Sequence, residues 1–440
     1  MSVIVPIIPF EPTTKDHRTE AVSFIARHMT RDSQDDPHVR EVSEKVVEDV
    51  RQRGDTALFE YTKKFDKADI NASNIRVTNE EIKAALAEIS QDLKDTIHRA
   101  AERIRAYHQR QKQNSWFDTS SEGEILGQIV RPVDAAGVYV PGGTAAYPSS
   151  VLMNIIPAQV AGVERIVVAT PPDATGKVFA TTLAAAAEAG ATEIYKMGGA
   201  QAVAALAFGT ETVPKVDKIT GPGNIYVTMA KRAVFGYAGI DSIAGPSEIA
   251  IVADETANPA FIAADMLSQA EHDERAASIL VTTSQALAES VQEELVRQTA
   301  ELDRKEIIEI SLKNNGLIVL TDCIKDAMHV ANAIAAEHLE ICTADPFEKL
   351  TLVRHAGAVF LGNYTPEPLG DYMAGPNHVL PTDATARFFS PLSVDDFVKK
   401  TSVLSFSQEA MEKLRKDVVL FARSEGLDAH ANAVEMRKMQ

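Results

Sequence analysis

The chain has 440 residues, 45% hydrophobic and 24% charged, an ordinary globular composition with room for two to four domains. Its formal net charge is −18, from 44 basic against 62 acidic residues. That argues against a nucleic acid or an anionic membrane as partner, since both need a basic surface.

The first residues are apolar, but Pro6 and Pro9 interrupt them and no positive leader precedes them, so no targeting segment is expected. Nothing approaches a bilayer-spanning run. From about Lys15 to Gln113 the pattern is charged and helical. Val42–Arg53 and Asn79–Gln113 place apolar residues at three- and four-residue steps, with a turn at Arg53-Gly54-Asp55. This region reads as packing and assembly. Cys323 and Cys342 are the chain's two cysteines and form no CxxC pair, which fits a reducing cytoplasm; isolated cysteines are more often buried than nucleophilic.

From Gly127 the character changes to alternating strands and helices. Gln128–Val133 and Gly137–Val140 read as strands, the second ending in the turn Pro141-Gly142-Gly143. Helix Ser149–Ala161, strand Arg165–Ala169, helix Lys177–Ala189, strand Thr192–Lys196, helix Ala200–Phe208, strand Lys218–Thr220 and helix Ile225–Phe235 follow. A second run has strands Glu248–Val252, Ser278–Thr282, Leu317–Leu320 and Ala358–Leu361 with helices Pro259–Glu271, Leu287–Ala300 and Ile324–Ala336. Such alternation predicts two tandem α/β blocks built from parallel βαβ units, an arrangement that an old duplication would explain. After Pro381 the pattern returns to helices, Glu409–Glu425 and Ala429–Lys438, which suit either a subunit contact or packing onto the same chain.

Short polar motifs in the second half carry the chemistry-bearing side chains. Gln269 and His272 lie three apart near a helix end and are able to meet one ion, although a polar stripe beside Glu271, Asp273 and Glu274 accounts for them as well. Asp371, in a loop past a strand, and His430, in the last helix, are individually ordinary surface residues. A Gln, two His and an Asp make an N/O ligand set suited to a zinc-like ion, and no HExxH motif points to a metallohydrolase. Glu337-His338 closes the predicted helix Ile324–Ala336, either as a cap or as an acid–base pair with His338 as the natural base. The glycine turns at 141–143 and 221–224 follow strands and would cradle phosphates or merely turn the chain; no GxGxxG is present. Ser247 in Gly245-Pro246-Ser247-Glu248 either binds substrate or starts a strand.

Taken together, these motifs resemble the histidinol dehydrogenase family. The likeness lies in Tyr139–Gly143, Ala146–Asn154, Gly221–Asn224, Ala244–Glu248, Gln269–Asp273, Glu337–Glu340, Gly370–Tyr372, Asn377–Pro381 and Glu425–His430, in that order. It runs from about Val42 to the C-terminus. Ala336 departs from a frequent proline and Asp383-Ala384 from a turn that often carries glycine; the first forty residues match weakly.

The resemblance implies a cytoplasmic, zinc- and NAD-dependent oxidoreductase that converts L-histidinol to L-histidine through the aldehyde, with two NAD reduced. It implies zinc ligands Gln269, His272, Asp371 and His430, one ion per subunit, and acid–base residues Glu337 and His338. Tyr139, Gln201 and Asn224 would contact NAD. Ser247, His378 and Glu425 would bind substrate together with Gln269, His272, His338, Asp371 and His430. The implied architecture is two tandem incomplete Rossmann-like α/β domains with an N-terminal helical region and a small C-terminal helical dimerisation tail. The expected division is 1–126 for the N-terminal helical region, 127–238 for the first Rossmann-like domain on the NAD side, 239–381 for the second with zinc and acid–base residues, and 382–440 for a tail crossing to the partner of a homodimer. A relative with the same machinery acting on another small alcohol, such as a sulfonated diol, is the nearest alternative. A non-catalytic zinc-stabilised binding protein is the alternative of another class.

Overall fold

A computed structural model describes residues 3–29, 36–142 and 146–437. Gly143 of the first glycine turn and Lys438 at the predicted end of the last helix lie outside these residues.

Two parallel sheets form the body. The first has the order Glu193–Lys196, Arg165–Thr170, Ala135–Tyr139, Lys218–Thr220, Gly239–Ile240. The second has the order Ile7–Phe10, Gly316–Thr321, Ala277–Thr282, Glu248–Ala253, His338–Cys342, Ala358–Leu361. Counted from its own first strand, each sheet runs third, second, first, fourth, fifth, the Rossmann order through five strands; the second adds Ile7–Phe10 at its edge. The shared order is what a duplication would leave. Separate apolar clusters cover the two faces of each sheet, and the central strands Ala135–Tyr139, Glu248–Ala253 and Ala277–Thr282 are buried end to end, as parallel strands between helical layers must be.

Local chemistry sets the element ends. Asn258 caps helix Pro259–Ala270 by accepting from the Ala260 N–H at 2.9 Å, with proline in the first turn where no donor is needed. The predicted run Asn79–Gln113 is two helices, Asn79–Glu88 and Gln91–Gln109, because Ile89 is extended and Ser90 caps the second. Helix Ile324–Ile334 stops two residues earlier than its periodicity predicts. Ala335 turns left-handed, with φ of 52°, and the chain enters strand His338–Cys342. The expectation that Glu337-His338 closes a helix is therefore corrected: His338 is the first residue of a strand, and the last-turn carbonyls of Asn332 and Ala333 accept instead from Arg387 at 3.3 and 2.7 Å.

A third, antiparallel sheet of Trp116–Thr119, Glu124–Pro132 and Val398–Phe406 was not expected. Its nine-residue strand Val398–Phe406 lies where the sequence reads only as helical, and it leads into helices Gln408–Ser424 and Asp428–Glu435. Those helices share a small core of Val419, Ala422 and Ala431, while Leu420 and Phe421 are each 70% exposed. No helix among the described residues is long and apolar enough to cross a membrane.

Candidate active site

The C-terminal edge of the first sheet and the N-terminal edge of the second meet at a cleft of about 320 Å³. Pro141 and Gly221–Gly223 enter it from strand ends of the first sheet. Ser247, Glu337 and His338 enter from strand starts of the second. Open parallel sheets place ligands beyond the carboxyl ends of their strands; here only one of the two sheets does so. The second contributes the opposite edge because helix Pro259–Ala270 returns there, bringing Gln269 in its last turn and His272 just beyond it.

Five of the six ligand and acid–base candidates from the body and tail meet in this cleft: Gln269, His272, Asp371, Glu337 and His338. Gln269 is fully buried, and its Oε1 lies 3.0 Å from His338 Nδ1. Glu337 Oε2 accepts from the Glu248 N–H at 3.3 Å and stands 3.9 Å from His338 Nδ1. Burial raises the Glu337 carboxyl well above its ordinary range and lowers the His338 imidazole to about 4. His338 Nε2, on the far side of the ring, has no hydrogen-bond partner in a buried site. Neutral imidazole with one nitrogen oriented and the other free is the form of a general base.

Asp371 lies in a π-helical turn, Gly370–Ala374, rather than in an open loop. Its main-chain oxygen is 3.1 Å from His378 Nδ1, and His378 Nε2 is 3.3 Å from Ser150 Oγ. His378 is thus held at both ring nitrogens, and burial lowers its pKa.

Glu367 was missed by the sequence reading. His272, Glu367 and Asp371 each offer a ligand atom, all within 4.8 Å of one another. Glu367 is buried, with Oε1 unpartnered and 3.7 Å from His338 Nε2. Burial, then the nearby Asp371, pushes its carboxyl up to about 8. The donor set of imidazole, carboxylates and the Gln269 amide, with orphaned polar atoms facing it, fits a divalent cation. The signals were present: Glu367 precedes Asp371 by four residues, and Glu340 follows His338 by two on the same strand face.

Two tail candidates stand apart. Glu425 ends helix Gln408–Ser424 and His430 lies in helix Asp428–Glu435, both exposed. Within one chain they do not line the cleft.

Tyr139 and Gln201 are buried together at the end of the first sheet. The Tyr139 hydroxyl accepts from the Gly199 N–H at 3.1 Å, and Gln201 Nε2 donates to Asp66 at 3.3 Å. Asn224 is exposed and caps helix Ile225–Val234 through the N–H groups of Tyr226 and Val227. The turn before it is clamped: the Gly221 N–H donates to Asp241 at 2.8 Å, and the buried Lys231, ion-paired with Asp241, donates to the Gly221 carbonyl at 3.1 Å.

Residues 29–438 match the family model described as Histidinol dehydrogenase. A histidinol dehydrogenase of Geobacillus kaustophilus is 57% identical over 392 residues, 89% of this chain and 92% of that protein. One from Bacillus subtilis is 55% identical over 399 residues, 91% and 93% of the two chains. The crystal structure of histidinol dehydrogenase from Elizabethkingia anophelis superposes with a TM-score of 0.91 at 37% identity, covering 98% of each chain.

Proposed function

The chain belongs to the histidinol dehydrogenase family, and on that premise we propose that it oxidises L-histidinol to L-histidine through L-histidinaldehyde, the closing steps of histidine biosynthesis. It is an oxidoreductase acting on CH–OH, and family membership implies NAD and a metal ion. We propose that the ion is zinc, one per subunit, and that the protein works as a cytoplasmic homodimer. The division into an N-terminal helical region, two Rossmann-like units and a crossing tail belongs to the same reading.

The observation that carries it is the buried Glu337–His338 pair beside Gln269, His272 and Asp371 in one cleft. Gln269, His272, Asp371 and His430 would hold the zinc. When bound, zinc supplies Lewis-acid polarisation and NAD supplies the hydride acceptor. His338 takes the alcohol proton at Nε2, its free ring nitrogen, while Gln269 fixes the ring through Nδ1. Glu337, held by the Glu248 N–H and Ser247, orients the water that hydrates the aldehyde. His378, anchored by Ser150 and the Asp371 main chain, faces the substrate's imidazole together with Ser247. Tyr139, Gln201 and Asn224 position NAD at the end of the first sheet.

Glu425 and His430 would complete the neighbouring subunit's site. Their exposure, and the exposed Leu420 and Phe421 beside them, support a tail that packs on a second chain.

The deciding experiment counts NADH formed per L-histidinol consumed by zinc-loaded protein. Two NADH with histidine as product supports the proposal. Bound zinc and NAD without turnover of histidinol would point to another small alcohol.

A further inference from the structure

We infer that Asp66 is the carboxylate that receives the 2′-hydroxyl of the NAD adenosine ribose and so selects NAD over NADP. The inference rests on the NAD reading above and goes beyond it to a residue that the sequence reading did not single out.

In the Rossmann order, the acid that binds this hydroxyl stands at the end of the second strand. The second strand of the first sheet is Arg165–Thr170, and it ends in Pro171 and Pro172. The nearest following acid, Asp173, is committed elsewhere: its carboxylate accepts from the N–H groups of Thr175 and Lys177 at 2.8 and 3.0 Å. Asp66 reaches this position from outside the sheet, at the end of helix Asp55–Phe65. A Cβ placed on Gly198 would sit 2.5 Å from Pro171 Cβ and 3.2 Å from Asp66 Oδ1. The glycine therefore lets the carboxylate, the strand end and the Tyr139–Gly199 contact lie close together.

Nothing in the fold requires a carboxylate there. It stands at a helix C-terminus, where the dipole disfavours negative charge. Its backbone N–H makes the capping bond to Thr62, so the side chain is not needed for the cap. Among the described residues its side chain gains one hydrogen bond, from Gln201, and no ion pair; burial pushes its pKa up to about 6. Gln201 Oε1, fully buried, has no partner. A desolvated acid without a cation, beside an unpartnered amide oxygen, is a place prepared for a donor such as a ribose hydroxyl. A 2′-phosphate would meet that carboxylate with like charge.

The test is calorimetric titration of the zinc-loaded full chain with NAD and with NADP, for wild type, Asp66→Asn and Asp66→Ser. Wild type is expected to prefer NAD, and both variants to lose about tenfold in NAD affinity, the worth of one hydrogen bond to a charged group, while the preference over NADP narrows. Titration with histidinol checks that the variants keep their fold. Variants that bind both nucleotides as wild type does would overturn the inference and leave the NAD reading standing. A wild type that binds neither nucleotide would overturn both.

Discussion

Glu337 Oε2 and His338 Nδ1, side chains of consecutive residues, lie 3.9 Å apart in the cleft, and each is fixed by a different strand or helix of the second sheet's layer: Glu337 by the Glu248 N–H, His338 by Gln269. Two proton-handling groups with separate anchors are suited to two separate tasks. Replacing His338 with Asn should lower turnover of both oxidations by about 10²- to 10⁴-fold, with zinc retained by metal analysis. Glu337→Gln should slow aldehyde oxidation more than alcohol oxidation in single-turnover assays, and equal slowing would contradict the division of labour.

Asp66 also makes a prediction about stability. Its folded pKa of about 6 lies above the ordinary 3.8, so between these values the folded state holds a proton that the unfolded state has lost. The residue's contribution to stability therefore falls as pH rises through that window and stays unfavourable above it, by about 2–3 kcal/mol at most. Asp66→Asn should raise the melting temperature at pH 7.5 and leave it unchanged near pH 3.5. A gain of the same size at both would place the effect elsewhere.

The clamp on Gly221 is testable by a double-mutant cycle. Lys231→Met strands the Asp241 carboxylate in a buried site and should cost about 3–5 kcal/mol in a urea melt. Adding Asp241→Asn should recover part of that loss; simple additivity would mean that the pair is not coupled. Gly221→Ala should be worse than either, because φ is +115° and a Cβ would lie 2.0 Å from the Tyr139 carbonyl oxygen.

If the tail completes its neighbour's site, two inactive homodimers should restore each other. Mixing Glu337→Gln/His338→Asn chains with His430→Ala chains, under verified subunit exchange, should recover activity from the one intact site per heterodimer. No recovery would return the tail to its own chain.

At the turn where the family often has glycine, Asp383 and Ala384 take φ of 52° and 59°. Ala384→Gly should relieve about 1 kcal/mol of left-handed strain, seen as a modest rise in melting temperature.

The two α/β blocks were legible because parallel strands between helices are apolar throughout, and segments such as Glu248–Val252 stand out against their amphipathic neighbours. Strand Val398–Phe406 was not, because neither of its faces is buried and its apolar residues follow no inward alternation. Gln269, Glu337 and His338 could be named from their motifs, but spacing gave no means of bringing them together; that depends on which edge of the second sheet each element reaches. Glu367 offered only its four-residue spacing before Asp371, and Asp66 lay in no motif. Their character comes from burial, which a linear pattern of charged residues conceals.

Strand Ile7–Phe10 lies outside the stretch matched by the family model, yet it occupies the edge of the second sheet, where it pairs in register with Ile318–Thr321. Without it, the apolar strand Gly316–Thr321 would present an open row of amides and carbonyls to other molecules. Pro9 makes the replacement edge a poor template, since it removes one of the donors a further strand would need. The least family-like part of the chain thus acts as a selvedge, finishing the sheet so that the fabric does not run on into a neighbour's.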